Sequence, residues 1–119
     1  MGLSQQRGQQ AEQMACRFLQ QRGLRLLARN YRSRRGEIDI VMQDRDALVF
    51  VEVRYRHAGS YGHATESVTP HKQRRIIRCA RCYLQQYRID APPVRFDVVA
   101  IELRGGRILI DWIRDAFRT

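Results

Sequence analysis

The 119-residue chain contains one lysine, Lys72, against 21 arginines. It has no apolar run near the roughly 20 residues that span a bilayer, which excludes a membrane-spanning helix. The opening MGLSQQRGQQAEQ lacks the apolar stretch of a secretory signal, so no membrane association and a cytoplasmic location are expected. Cysteine is scarce and odd in number. Cys16, Cys79 and Cys82 form no disulfide framework, in keeping with a reducing compartment. Cys79 and Cys82 do make a C-x-x-C, but it falls in mid-helix with no second pair to complete a zinc site. Both are expected to be ordinary helix residues. Repeats, low-complexity tracts and linkers are absent, so residues 1–119 read as one domain.

What the chain has in excess is positive charge. Twenty-two basic residues against 12 acidic ones give a net charge of +10, a field that attracts polyanions, nucleic acid above all. Hydrophobic residues make up 44%, enough for a folded core. Arginine suits phosphate, because its planar guanidinium donates in pairs.

The periodicities predict the element order α-β-β-β-α-β-β, a mixed sheet with helices packed on it. Gly8, Ala11, Ala15, Phe18 and Leu19 recur at helical spacing over 4–22, and Gly23 stops that helix. Strands are expected at 24–32, 37–43, 47–56, 94–103 and 107–113, with a turn at Arg34 to Gly36 and a loop over 57–66. Thr69-Pro70 pairs an N-cap with proline at the first helical position. The helix that follows should bury Ile76, Ile77, Ala80, Leu84 and Tyr87, leaving Lys72, Arg74, Arg75, Arg78 and Arg81 outside.

The chemistry is concentrated in residues 36–56. A hairpin with a two- or four-residue loop after Asp44 pairs residues whose numbers sum to 91, which sets Asp39 opposite Glu52. Like charges facing each other across a hairpin destabilise it unless something positive lies between them. Two remedies are open at this level: a divalent cation held by oxygen ligands, or an arginine such as Arg54. Val49, Val51 and Val53 point to one face, so Leu48, Phe50, Glu52 and Arg54 share the other. Glu12 lies at the border of the first helix's apolar stripe and is a third candidate ligand. Glu37 is expected to face away from Asp39 and ranks below it. Arg32, Arg34, Arg35, Arg56, Lys72, Arg74, Arg75 and Arg78 are the candidate nucleic-acid contacts. Tyr31, Tyr55 and Tyr61 lie among arginines and offer rings for stacking on unpaired bases. His57, His63 and His71 read as bystanders, Glu66, Ser67 and Thr69 as the capping approach to the second helix, and Asp97 as structural. Trp112 and Phe117 read as core or as an oligomer surface.

An acid, a hairpin and then Glu-x-basic, here Asp39 with Glu52-Val53-Arg54, resembles the PD-(D/E)xK nuclease superfamily. The resemblance is closer to one group within it, the YraN family of small bacterial proteins. Glu12, Arg29-Asn30-Tyr31-Arg32, Gly36-Glu37-Ile38-Asp39, Val49 to Arg54, Glu66 to Thr69 with Lys72, Arg95 to Ala100 and Asp115-Ala116-Phe117 carry it, over nearly the whole chain. The resemblance implies a restriction-endonuclease-like core similar to archaeal Holliday-junction resolvases. It further implies magnesium or manganese held by Glu12, Asp39 and Glu52, DNA as partner with RNA as the alternative, and a homodimer by analogy with the resolvases. The expected activity is metal-dependent hydrolysis of DNA phosphodiesters, on branched DNA in particular. The alternative is a non-catalytic DNA- or RNA-binding protein that keeps the fold. One departure bears on this choice: Arg54 stands where the superfamily has lysine. Arginine stays protonated, so it can orient water or stabilise phosphate charge but cannot act as a base. Lys72 either supplies the missing amine from the second helix or contacts phosphate at that helix's N-terminus.

Overall fold

The computed structural model describes residues 3–57, 68–90 and 92–119. Its elements follow the predicted order: α1 (Leu3–Gln21), β1 (Arg25–Ser33), β2 (Gly36–Asp44), β3 (Ala47–His57), α2 (Pro70–Gln86), β4 (Val94–Arg104) and β5 (Arg107–Phe117). The strands form one five-stranded sheet in sequential order. β3 and β4 run parallel, bridged in the chain by α2, and the other neighbours are antiparallel. Among the described residues no helix is long and apolar enough to cross a membrane.

Alternation along the strands divides the apolar residues between two cores, one on each face. Val41, Leu48, Phe50, Phe96, Val98 and Ala100 pack with Ile76, Ile77, Ala80 and Tyr83 of α2. Ile40, Met42, Val49, Val51, Val99 and Ile101 pack with Ala11, Ala15, Cys16 and Leu19 of α1. Both cores meet in the central strands β3 and β4, which accounts for their runs of β-branched residues.

The ends of the elements follow from local chemistry. Gly23, at φ +94°, closes α1 by donating to the Gln20 carbonyl, while the Leu24 N–H reaches back to Leu19. Thr69 caps α2, its hydroxyl accepting from the Lys72 N–H at 3.2 Å. That cap fixes the first turn of α2 and with it the starting point of the Lys72 side chain.

Two sequence expectations change. Tyr87 is the C-cap of α2 and 54% exposed, and Cys79 and Tyr83 fill the buried positions instead. At about 100° per residue position 87 still falls on the face of Ile76 and Tyr83, so its exposure comes from its place at the helix end, where α2 stops. β5 continues past residue 113 to Phe117, whose ring stacks on Phe96 in the α2-side core. Cys79 and Cys82 are free thiols within α2, as the sequence suggests.

Candidate metal and nucleic-acid site

The hairpin register is the predicted one, with Ile40 opposite Val51, Val41 opposite Phe50 and Asp44 opposite Ala47. The ladder stops one pair short of Asp39 and Glu52. On its other side the β1–β2 ladder pairs Arg29 with Ile40 and Tyr31 with Ile38, passing over Asn30 and Asp39. Asp39 thus has no ladder partner on either flank. Its Oδ2 instead accepts the Val53 N–H at 2.8 Å. The strands part at Asp39, and a pocket of about 200 Å³ opens there, lined by Glu37, Asp39, Glu52, Lys72, Arg75 and Gly36 among others.

Charge is unevenly matched in this pocket. Glu52, buried, has the Lys72 Nζ 2.9 Å and an Arg54 Nη 3.6 Å from its Oε1. Asp39 meets no cation at ion-pair distance among the described residues. Burial, followed by the Glu52 carboxylate, pushes the Asp39 carboxyl up from 3.8 to about 8, against the pull of the Val53 N–H. Glu12 and Glu37 add smaller repulsions. The salt-bridge remedy therefore serves Glu52 and leaves Asp39 unrelieved.

Glu12 projects from α1 toward the same group of acids. Burial raises its carboxyl, while Arg29, 4.0 Å away, opposes the rise. Asn30 joins the outer acids: with its amide nitrogen turned toward them, it donates to Glu12 Oε2 at 3.0 Å and Glu37 Oε1 at 3.2 Å. Asn30 holds φ +54°, a left-handed conformation that asparagine tolerates better than most residues. The sequence carried Asn30 only as part of a motif; its enrichment in left-handed backbone is the signal that marks it.

Glu37 corrects an expectation. It lines the pocket with Asp39 instead of facing away, in a stretch where strict alternation lapses: Ile38 packs in the α2-side core and Ile40 in the α1-side core. Tyr31 is corrected as well. Its hydroxyl donates to Gln86 Oε1 at 2.7 Å and its ring packs edge-on against Tyr83, so it is a packing residue and not a free stacking platform. Tyr55 packs on the α1-side core. Tyr61, His63, Glu66 and Ser67 lie outside the described residues.

The other predicted contacts surround the pocket. Arg75 lines it directly; Arg74 and Arg78 are exposed on α2. Arg32, Arg34 and Arg35 are exposed at the β1–β2 turn, with Arg32 3.8 Å from Glu37, and Arg56 is half-buried near the end of β3. Asp97 is structural, as expected: it is fully buried and accepts from Arg95 Nε, the Trp112 indole and the Asp115 N–H.

Residues 11–101 match the family described as "Uncharacterised protein family UPF0102". The chain belongs to the UPF0102 family. This is the YraN family to which the sequence motifs point, and relatives resemble the chain over nearly its full length. A UPF0102 protein of Nitrosococcus oceani is 55% identical over 113 residues, covering 94% of this chain and 91% of the relative. UPF0102 proteins of Pseudomonas syringae pv. tomato and Chlorobium phaeobacteroides are 47% and 48% identical, covering 95% and 94% of this chain and 93% and 94% of their own lengths. The residues matched to the family include Glu12, Asp39, Glu52, Arg54 and Lys72.

Proposed function

We propose that this UPF0102 protein is a divalent-metal-dependent endonuclease acting on DNA, with a restriction-endonuclease-like arrangement of Asp39, Glu52 and Lys72. The observation that carries this reading is the Lys72 ammonium, delivered by α2 to within 2.9 Å of Glu52 in the pocket it shares with Asp39. The amine absent from position 54 reaches the acids from a different element.

The donor set fits magnesium or manganese. Among the described residues, no three carboxylate, imidazole or thiol groups converge into a ready-made cage. Magnesium does not require one, since it keeps several waters and takes one or two carboxylates together with substrate phosphates. Asp39 and Glu52 would hold the ion, and Glu12 would support them from α1. When bound, the cation supplies charge for the phosphate and polarisation for the attacking water.

The remaining roles belong to the chain. Lys72 orients the water and, only in its neutral amine form, can take its proton, a form Arg54 does not reach. Arg54 and Arg75 neutralise charge that develops on the phosphate. Water adds to phosphorus, the bridging P–O bond breaks, and the leaving oxygen takes up a proton. Among the described residues no element resembles a base-reading helix, so DNA is held mainly through phosphate, with low sequence specificity.

The test uses labelled linear, flapped and four-way DNA with magnesium or manganese. Wild type should cleave at least one of them, and the Asp39→Ala/Glu52→Ala protein none. Metal-independent cleavage, or none on any substrate, would overturn the proposal. Lys72→Ala should lose at least about 10²-fold in rate, the usual contribution of a positioned acid or base. Lys72→Arg should fail to restore it; full restoration would assign Lys72 a purely electrostatic role. DNA affinity should fall linearly on a log–log plot against salt, as phosphate-based binding requires.

A further inference from the structure

Beyond Gly36 lies a second cavity of about 400 Å³, between the β1–β2 turn and the last two turns of α2. Arg32, Arg34 and Arg35 form one wall, and Cys82, Gln85 and Gln86 line the opposite side. Arg34 and Arg35 meet no carboxylate at ion-pair distance among the described residues, which leaves two guanidinium groups for an anion. Gln86 has its carbonyl oxygen occupied by the Tyr31 hydroxyl, so its amide nitrogen remains to donate. Gln85 is exposed beside it.

We infer that this cavity binds an unpaired nucleotide of the DNA, its phosphate on Arg34 and Arg35 and its base edge on Gln85 and Gln86. Size and charge point the same way. The volume falls in the range of small-ligand pockets, roughly 300–1,000 Å³. Duplex DNA presents a convex backbone with its pairing edges hidden, and would touch the arginine rim but leave the amides unused. An unstacked base offers those edges to side-chain hydrogen bonds. The larger cavity of about 510 Å³ beside β4 is a poorer anion site, because two of its three arginines are engaged: Arg95 by Asp44 and Asp97, Arg118 by Asp115.

The cavity adjoins the acid pocket along the chain. Gly36, in that pocket, directly follows Arg35, and the Cys79 thiol donates to the Gly36 carbonyl while accepting from the Ser33 hydroxyl. Along α2, Arg75 and Gln85 are ten residues apart, or about 15 Å at the helical rise. That distance is a few nucleotides of one strand. The substrate class is therefore DNA with a single-stranded stretch running from the cavity toward the acids, as at a flap or branch. The inference rests on the nucleic-acid reading of the basic surface, and not on cleavage.

The protein supplies its own reporter, because Cys82 is half-buried in the cavity wall while Cys16 and Cys79 are buried. A fluorescent ten-nucleotide oligothymidylate and a blunt duplex of equal length are titrated against the protein with EDTA present. The single strand should bind at least about fivefold tighter, and Gln85→Ala/Gln86→Ala should weaken it about tenfold, the scale of one or two lost hydrogen bonds. Duplex affinity should be nearly unchanged in that variant. On wild type, saturating oligothymidylate should slow modification of Cys82 by a thiol reagent. Equal or tighter duplex binding, or a Cys82 rate indifferent to bound oligonucleotide, overturns the cavity assignment and leaves the nuclease proposal standing. Failure of both DNAs to bind at low salt overturns the two together.

Discussion

Asp39→Asn is expected to make the metal-free protein more stable at pH 8 and to remove most of its pH dependence below that. The Asp39 carboxyl, ordinarily near 3.8, is pushed up to about 8 by burial and then by Glu52. Between these values the folded protein keeps a proton that the unfolded chain has released. Folding then takes up a proton, so stability is greatest at the acid end and falls as pH rises, by up to ~1.4 kcal/mol per pH unit. Most globular proteins instead lose stability toward acid, as their paired carboxylates are protonated. Above about 8 the loss levels off, because Asp39 is then charged in both states. Asparagine keeps a carbonyl oxygen for the Val53 N–H and has nothing to titrate. Glu12, also raised by burial, leaves a shallower slope of the same sign. Urea unfolding from pH 5 to 8.5 without divalent cations checks this. Parallel curves for wild type and variant would show that Asp39 does not bear the strain.

Asp97→Ala should move stability the other way, by about 3–5 kcal/mol, the cost of breaking a buried pair from one side. Arg95 Nε lies 3.0 and 3.2 Å from the two Asp97 oxygens. The Trp112 indole and the Asp115 N–H each donate to Asp97 at 2.9 Å. Arg95 already has one buried nitrogen, Nη2, with no partner. Removing Asp97 leaves a guanidinium held only by Asp44, together with two unsatisfied N–H donors. Asp97 lies at the register shift between Phe96 and Val98, and it anchors Asp115, whose φ is +52°. The end of β5 should loosen with it. A loss of this size is a large part of the 5–15 kcal/mol that holds a typical small domain together. Denaturant unfolding measures it, and a change under about 1 kcal/mol would contradict a central structural role. The two aspartates thus respond with opposite signs. Asp97 has partners for its charge and stabilises the fold; Asp39 lacks them, the usual mark of a side chain kept for chemistry.

The parts of this arrangement legible in the sequence are those set by short periods. Two-residue alternation gave the faces of β3, and loop length gave the register that sums to 91 at Ile40–Val51. Thr69-Pro70 marked the start of α2. Glu37 was misplaced where strict alternation lapses around Asp39, with Ile38 and Ile40 in different cores. What the sequence did not carry was contact between distant elements. Lys72 stood out as the lone lysine, but nothing local says that α2 brings it to Glu52, twenty residues earlier. The Asn30 bridge between Glu12 and Glu37 joins three elements, and the partners of Asp97 are Trp112 and Asp115 of β5 with Arg95 of its own strand, which also binds Asp44. Periodicity predicts which face a side chain occupies, and tertiary packing decides which charge it meets there.

The central claim is that Asp39 and Glu52 form a cation site, and it is tested most directly by proton release. A metal ligand must be deprotonated, and at pH 7 a carboxyl pushed up to about 8 is mostly protonated. Manganese titrated calorimetrically at pH 7, in buffers of different ionisation enthalpy, should bind the wild type and release close to one proton per ion. Asp39→Asn should bind more weakly and release almost none. Binding that releases no proton, or that is the same in both proteins, would place the ion elsewhere and contradict the account.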